Sequence, residues 1–274
     1  MMKFLLKDNH TLAKEGRWDI DYHLPAEGIL RFPKSRIVLV SALADISKQT
    51  RDPGQNPEAT FMYVDIASVD VGTGIITNPQ ELTGEEAPSR ARMVVHAYDV
   101  IVSTVRPTRG AIAVVPVELN GQICSTGFCV LRCKENVNPF YLHFVLRAAS
   151  TLEQFRKFST GSSYPAILEE DVLKALVPQA SPEEQDAIAK SVMAAYTKRE
   201  TLLQTAKQEL DRASSASLKL LEQDIGLAIE LPISTDLIQN VTIGEIERIR
   251  SELLNSGLPL FSATAPKSNG DLHA

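Results

Sequence analysis

Two arginines bracket a proline turn at Arg106-Pro107-Thr108-Arg109-Gly110, between the apolar, β-branched runs at 94–105 and 111–117. A guanidinium carries a rigid fork of donors that fits carboxylates, phosphates and the paired acceptors of a base edge. Residues 88–109 concentrate this chemistry: they hold Arg90, Arg92, Arg106 and Arg109 against one acid, Asp99. Two further polar loops add Lys48 with Arg51, and Ser162 with Tyr164. Each of these groups has a plainer alternative. The cations can pair with acids on the surface, and Tyr164 can be a core residue whose hydroxyl reaches water.

Other chemistry is harder to find in the sequence. Cys124, Cys129 and Cys133 lack the paired spacing of a zinc site and have no histidine nearby in sequence. They are expected to be ordinary thiols in or near strands. His10, His23, His96, His143 and His273 lie far apart. His143 falls in an apolar stretch and reads as a satisfied core or interface histidine. Gly72-Thr73-Gly74 has no helix after it to aim amides at a phosphate, and no P-loop sequence occurs. No nucleophile has a base near it in sequence. The expectation is a binding protein, not an enzyme, with no cofactor or metal of its own.

The composition fits a globular protein, with 44% hydrophobic and 23% charged residues over 274. No apolar run approaches the roughly 20 residues that span a bilayer, and the N-terminus carries only a three-residue apolar stretch. A cytoplasmic protein without a membrane partner is expected. The formal charge of −6 argues at first against a nucleic-acid partner, yet its distribution is uneven. Residues 181–274 hold 9 basic and 14 acidic residues, whereas 34–180 hold 14 and 15. The acidity belongs mainly to the C-terminal part.

The elements that would position the candidates follow from pattern. Residues 1–33 form a polar lead with a few apolar points (Phe4, Leu5, Leu6, Trp18, Leu24), read as a packed extension. From Ile37 to Gln179 short β-like runs alternate with turns. RIVLVSALADIS suggests a strand into a short helix, FMYVDIASVD a half-buried strand, and QICSTGFCVLRC another strand. Asn138 and Pro139 start a helix, a second helical stretch covers 152–158, and a short one falls near 168–173. Ser181-Pro182-Glu183-Glu184 combines a cap, a proline at the first helical position and a capping box. No Gly or Pro follows until Gly226, which allows a helix on the order of 60 Å long. Ala189, Val192, Tyr196, Leu203, Ala206, Leu210, Ala213 and Leu220 mark a stripe along it, interrupted by Arg199 and Ser217. Such a stripe must pack on something. The organisation expected is an extension (1–33), an α/β domain of mixed type (34–180), a long helix (181–226), and a short helix after Thr242 with a disordered tail (227–274).

Several stretches, in order, resemble the target-recognition domain of type I restriction–modification specificity subunits. They are Tyr98-Asp99-Val100-Ile101-Val102-Ser103, Ser125-Thr126-Gly127-Phe128 with Val130-Leu131-Arg132, Tyr141-Leu142 through Leu146, and Gly161-Ser162-Ser163-Tyr164-Pro165. The strongest is Ala175-Leu176-Val177-Pro178 followed by Pro182-Glu183-Glu184-Gln185-Asp186-Ala187-Ile188, similar to that family's junction into its spacer helix. A full-length member has two recognition domains and two spacer helices, whereas this chain offers one of each.

The resemblance implies a mixed α/β recognition domain followed by a spacer helix, and a non-catalytic reader of double-stranded DNA. It implies a modification (methyltransferase) subunit and a restriction (translocase and endonuclease) subunit as partners, which would supply S-adenosylmethionine chemistry and ATP hydrolysis. Arg106 and Arg109 become candidate base readers, and Lys48, Arg51, Arg90, Arg92, Ser162 and Tyr164 candidate phosphate or base contacts. Val192, Tyr196, Leu203, Leu210 and Leu220 become the candidate face for pairing two copies, antiparallel, into a homodimer. Two alternatives stay open: a DNA-reading module of another defence or modification system, and a helical interaction scaffold with no DNA role.

Overall fold

The computed structural model describes Ala13 and residues 16–161 and 163–225, with side chains as far as Leu220. The N-terminal residues Phe4, Leu5 and Leu6, the predicted helix after Thr242 and the predicted tail lie outside the described residues. The chain divides into two compact units at Gln204 and Thr205.

The first unit is built on apolar runs too rich in buried positions for a one-sided sheet. After a short helix α1 (Ile20–His23) come strands β1 (Ile37–Leu39), β2 (Ala44–Ile46), β3 (Thr60–Val64), β4 (Val69–Asp70), β5 (Ile75–Ile76) and β6 (Gln80–Thr83). Then follow β7 (Ala91–Val94), β8 (Val100–Ser103), β9 (Ile112–Val114), β10 (Ile123–Ser125) and β11 (Phe128–Cys133). Helices α2 (Pro139–Leu146), α3 (Ala149–Phe158) and α4 (Glu169–Lys174), strand β12 (Leu176–Pro178) and helix α5 (Pro182–Ile225) complete the described order.

Two four-stranded sheets form, in the orders β2-β11-β8-β9 and β6-β3-β10-β7. All the pairings are antiparallel except β10 with β3. Side-chain alternation explains why the first sheet is central. Val100 and Val102 join Cys129, Leu131 and Ile112 in a core shared with Leu142, Leu146 and Phe155 of the helices. Their neighbours Ile101, Phe128, Val130 and Ala113 point the other way, into a second core with Met93 and Cys124 of the other sheet. Burial on both faces is what turns Val100-Ile101-Val102 into an unbroken apolar run.

The helix starts follow their caps. The Asn138 side chain accepts from the amides of Phe140 and Tyr141, and Pro139 takes the first helical position. At α5, Ser181 N–H donates to Glu184 Oε2 at 2.8 Å and Glu184 N–H to Ser181 Oγ at 3.3 Å, a reciprocal capping box.

Three local expectations need correction. The predicted helix within RIVLVSALADIS is a single 3-10 turn, Val40–Ala42, followed by β2, because Val40 and Leu43 must both reach the core. QICSTGFCVLRC is two strands in different sheets, β10 and β11, split by the turn at Thr126 and Gly127. Ser125 Oγ accepts from Gly127 N–H at 3.1 Å there. Trp18, one of the apolar points of the expected packed extension, is 70% exposed, while Ala26 and Ile29 are buried. Arg17 does the anchoring, donating to the Phe158 and Lys157 carbonyls at 3.0 and 3.2 Å.

Candidate nucleic-acid interface

The Arg106–Gly110 loop leaves β8 and returns as β9, so its geometry begins with backbone. Arg106 adopts φ 48° and Gly110 φ 74°, bracketing a 3-10 turn over Pro107–Arg109. A left-handed conformation is uncommon for a residue with a Cβ, so something else must hold Arg106 there. Its amide donates to Pro165 O at 2.7 Å, and bridges join Val105 to Ala166 and Ala166 to Thr160. The Arg106 loop is thereby fastened to Pro165 and Ala166, and through Ala166 to Thr160. The Arg106 guanidinium lies 4.7 Å from the centre of the Tyr164 ring, which is itself 71% exposed. Stacking of this kind orients the fork and leaves its donors along the edge.

Backbone bonds carry the surface onward from this pair. Gly127 O accepts from the amide and hydroxyl of Thr104 at 2.9 and 3.0 Å, and Arg90 O accepts from Thr126 N–H at 2.9 Å. Arg51 N–H donates to Arg92 O at 2.9 Å, and Ser47, next to Lys48, donates to Val130 O at 2.8 Å. Most of the predicted contacts therefore gather where β2 and β8 end and β11 begins. Ser162 lies outside the described residues.

They are not equivalent. Lys48 Nζ lies 2.5 Å from Glu169 Oε2 and 3.8 Å from Glu170 Oε1, and the hydrogen bond to Glu169 raises its pKa. Arg92 meets Asp52 at 3.5 Å and its own neighbour's carbonyl, Ala91 O, at 2.9 Å. Arg51, Arg90, Arg106 and Arg109 have no acid partner among the described residues, and Arg51, Arg90 and Arg109 are exposed. Tyr164 is a surface ring, not a core residue.

Beneath the loop sits a compact set of buried polar groups. His143 is 4% exposed and its Nε2 bonds to Ile112 O at 3.1 Å. Burial, then the nearby Arg147 charge, pulls its pKa down to about 4, so it is neutral and donates to that carbonyl. Gly74, at φ 71°, permits this packing. A Cβ there would stand 2.3 Å from His143 Nε2 and 2.8 Å from Arg147 Nη1. The three cysteines are free thiols on strands; burial pushes all of them up, Cys133 to about 12. Arg132 forms a fork on buried Asp99, with both bonds at 3.0 Å, and so serves the fold. No group of three metal-ligating side chains occurs among the described residues. None of their helices is long and apolar enough to cross a membrane.

Two features escaped the sequence reading. Thr126 was quoted as part of a strand motif, yet it is an exposed turn residue between Arg90 and Thr104. Arg147 carries no local signal at all, since its partners lie 37 and 76 positions away.

The predicted pairing face on α5 is divided. Ala189 is buried, Ile188 packs against the core shared with α2, and Val192 and Tyr196 are half-buried. Further on, Leu203, Leu210 and Leu220 are 49%, 52% and 65% exposed.

No family model matches the sequence, and neither does any curated protein. Solved structures do. The HsdS subunit from Thermoanaerobacter tengcongensis is 35% identical, with a TM-score of 0.55 over 72% of this chain and 51% of its own. A chain from a structure of complex assembly and conformational transition in the type I R-M system is likewise 35% identical, with a TM-score of 0.54 and the same coverage. The chain spans about half the length of these relatives.

Proposed function

The chain belongs to the family of HsdS subunits of type I restriction–modification systems, and from that premise we propose that it is a non-catalytic, sequence-specific reader of double-stranded DNA. The observation that carries the reading is the Arg106–Tyr164 pair: a guanidinium without an acid partner among the described residues, stacked on an exposed ring at the sheet end near the exposed Arg51, Arg90 and Arg109. An oriented fork suits guanine O6 and N7, and exposed arginines around it suit phosphates. In this reading the partners are a modification methyltransferase subunit and a restriction translocase and endonuclease subunit. Both would be directed to the target by this chain.

Two copies pair, antiparallel, through α5. The support is the run of exposed Leu203, Leu210 and Leu220 beyond the half-buried Val192 and Tyr196, because an apolar stripe left in water favours association. The pairing face is accordingly narrower than the sequence suggested, with Val192 and Tyr196 at its margin.

Selection from a randomised duplex library tests the reading. The wild-type chain should enrich a motif made of two inverted half-sites. The Arg106→Ala, Arg109→Ala variant should lose discrimination at one position or more of each half, at about 1–3 kcal/mol per base-reading arginine. An unchanged motif in a folded double variant would overturn it. Light scattering tests the pairing: Leu203→Glu with Leu210→Glu should convert a dimer to a monomer. A wild-type chain that is monomeric at tens of micromolar would sink the homodimer.

A further inference from the structure

Arg147 caps the C-terminal end of α2, and its guanidinium is spent entirely on carbonyls. Nη1 donates to Gly110 O at 2.6 Å, while Nη2 donates to Val71 O and Gly72 O, both at 2.9 Å. Arg147 forms no ion pair among the described residues; its charge only adds to the lowering of the nearby Asp70 pKa, which the Thr73 hydrogen bond dominates. One side chain thus ties the end of the Arg106–Gly110 loop to the Val71–Gly72 turn. We infer that Arg147 is a positioning residue for sequence discrimination, fixing the loop that presents Arg106 and Arg109 without itself touching DNA. The inference rests on the DNA reading proposed above.

The surroundings are arranged around this clamp. The loop's own closure is slight: Arg109 and Gly110 donate to Arg106 O and Pro107 O at 3.0 and 3.1 Å in a single 3-10 turn. Left to itself, such a turn between two left-handed residues would sample other geometries. The opposite jaw is rigid. Asp70 accepts from Thr73 Oγ1 at 2.6 Å and from Gly72 N–H at 2.9 Å, which sets the Val71 and Gly72 carbonyls. Space for the guanidinium exists because Gly74 lacks a Cβ and because His143 beneath it carries no charge. A fork held by carbonyls on two segments is a geometric device, since a point-like ammonium cannot span both sets. Discrimination between bases depends on placing a donor pair within a few tenths of an ångström, whereas phosphate attraction does not. Loss of the clamp should therefore remove specificity and spare general affinity.

The test uses the full chain and two duplexes, the motif enriched by the wild type and its scramble. Arg147→Ala is expected to lower the ratio of the two affinities about ten-fold. Affinity for the scramble and its salt slope should stay at wild-type values. Amide exchange at Arg109 and Gly110 should quicken. Arg147→Lys keeps the charge without the span and should show the same loss of ratio, and it carries the test if the alanine variant does not fold. A fall in both affinities with the salt slope reduced by about one would mark Arg147 as a phosphate contact and overturn the inference. So would lower thermal stability with an unchanged ratio, the signature of a merely structural residue. If the wild-type chain enriches no motif, the DNA reading falls and the role in discrimination with it. The exchange rates then report whether the loop is clamped at all.

Discussion

Arg106 and Lys48 occupy the same end of the central sheet under opposite conditions. Arg106 is stacked on Tyr164 with no acid partner among the described residues, and its backbone is fastened to Pro165. Lys48 ends against Glu169 and Glu170 at the start of α4. Arg90 and Arg92 repeat the contrast two residues apart, the first without an acid partner among the described residues and the second beside Asp52. A cation already paired offers a polyanion little, because the pair must be broken before a phosphate can replace the carboxylate. A cation held by a ring and by backbone keeps its full charge and its direction. At this sheet end the partners of the basic residues, more than their number, separate candidate readers from structural ion pairs.

The largest effect that sharpens this contrast comes from below the Arg106 loop, where His143 lies buried next to Arg147. Its pKa is about 4 in the folded chain against an ordinary 6.5, because burial opposes the charge. The unfolded chain therefore binds a proton first as the pH falls. The stability due to neutral His143 is fully present above about pH 6.5 and is lost progressively toward pH 4. Between pH 7 and pH 5 the cost should be about 2 kcal/mol, read as a drop in the urea midpoint. His143→Gln, which keeps a donor for Ile112 O, should flatten that dependence by a similar amount. An equal slope in the variant would mean that other groups carry the acid sensitivity.

A smaller effect is expected at the ring itself. Tyr164→Ala removes the surface that orients Arg106 but no core packing, since the ring is 71% exposed. Stability should change by under about 0.5 kcal/mol, while affinity for the enriched motif falls by about 0.5–1 kcal/mol, the worth of an exposed cation–π contact. Tyr164→Phe should restore it. In a double-mutant cycle with Arg106→Ala the two losses should be less than additive. Strict additivity would show that the ring and the guanidinium act separately in the complex.

What could be read from the sequence follows from how far apart the interacting residues lie. The capping box at Ser181 and Glu184, the Asn138 cap, the strand Val100–Ser103 and the buried His143 are written in a few consecutive residues each, and all are present in the structure. The split between β10 and β11 is hidden in the sequence because both halves are apolar; in the structure Ser125 Oγ accepts from Gly127 N–H at the turn, and Gly127 packs against Ile66, 3.0 Å from where a Cβ would stand. The candidate cations were legible as residue types and as loops. Their sorting was not, since Lys48 and Glu169 are 121 positions apart and Arg147 reaches Gly110 across 37. The stripe on α5 was legible as a periodicity, but which turns of the helix face the domain depends on where α2 and the core lie.

The smallest expected effect is the one that can break the comparison outright. Lys48 is 63% exposed at its side chain and bonded to Glu169, which is 24% exposed. An exposed pair of this kind contributes little to stability because water screens it, so Lys48→Ala should shift the urea midpoint only slightly. On DNA, a cation whose charge is already balanced by Glu169 and Glu170 releases few counterions, so its removal should leave the salt slope nearly unchanged. Arg90→Ala, from a side chain without an acid partner among the described residues, should reduce the slope by about one for cognate and scrambled duplexes alike. The two variants remove the same formal charge from the same sheet end, so long-range attraction to the duplex falls equally in both. Any difference between them therefore reports local pairing. Equal slopes for Lys48→Ala and Arg90→Ala would mean that Lys48 leaves its acids when DNA arrives, and the division of this surface into free and paired cations would fail.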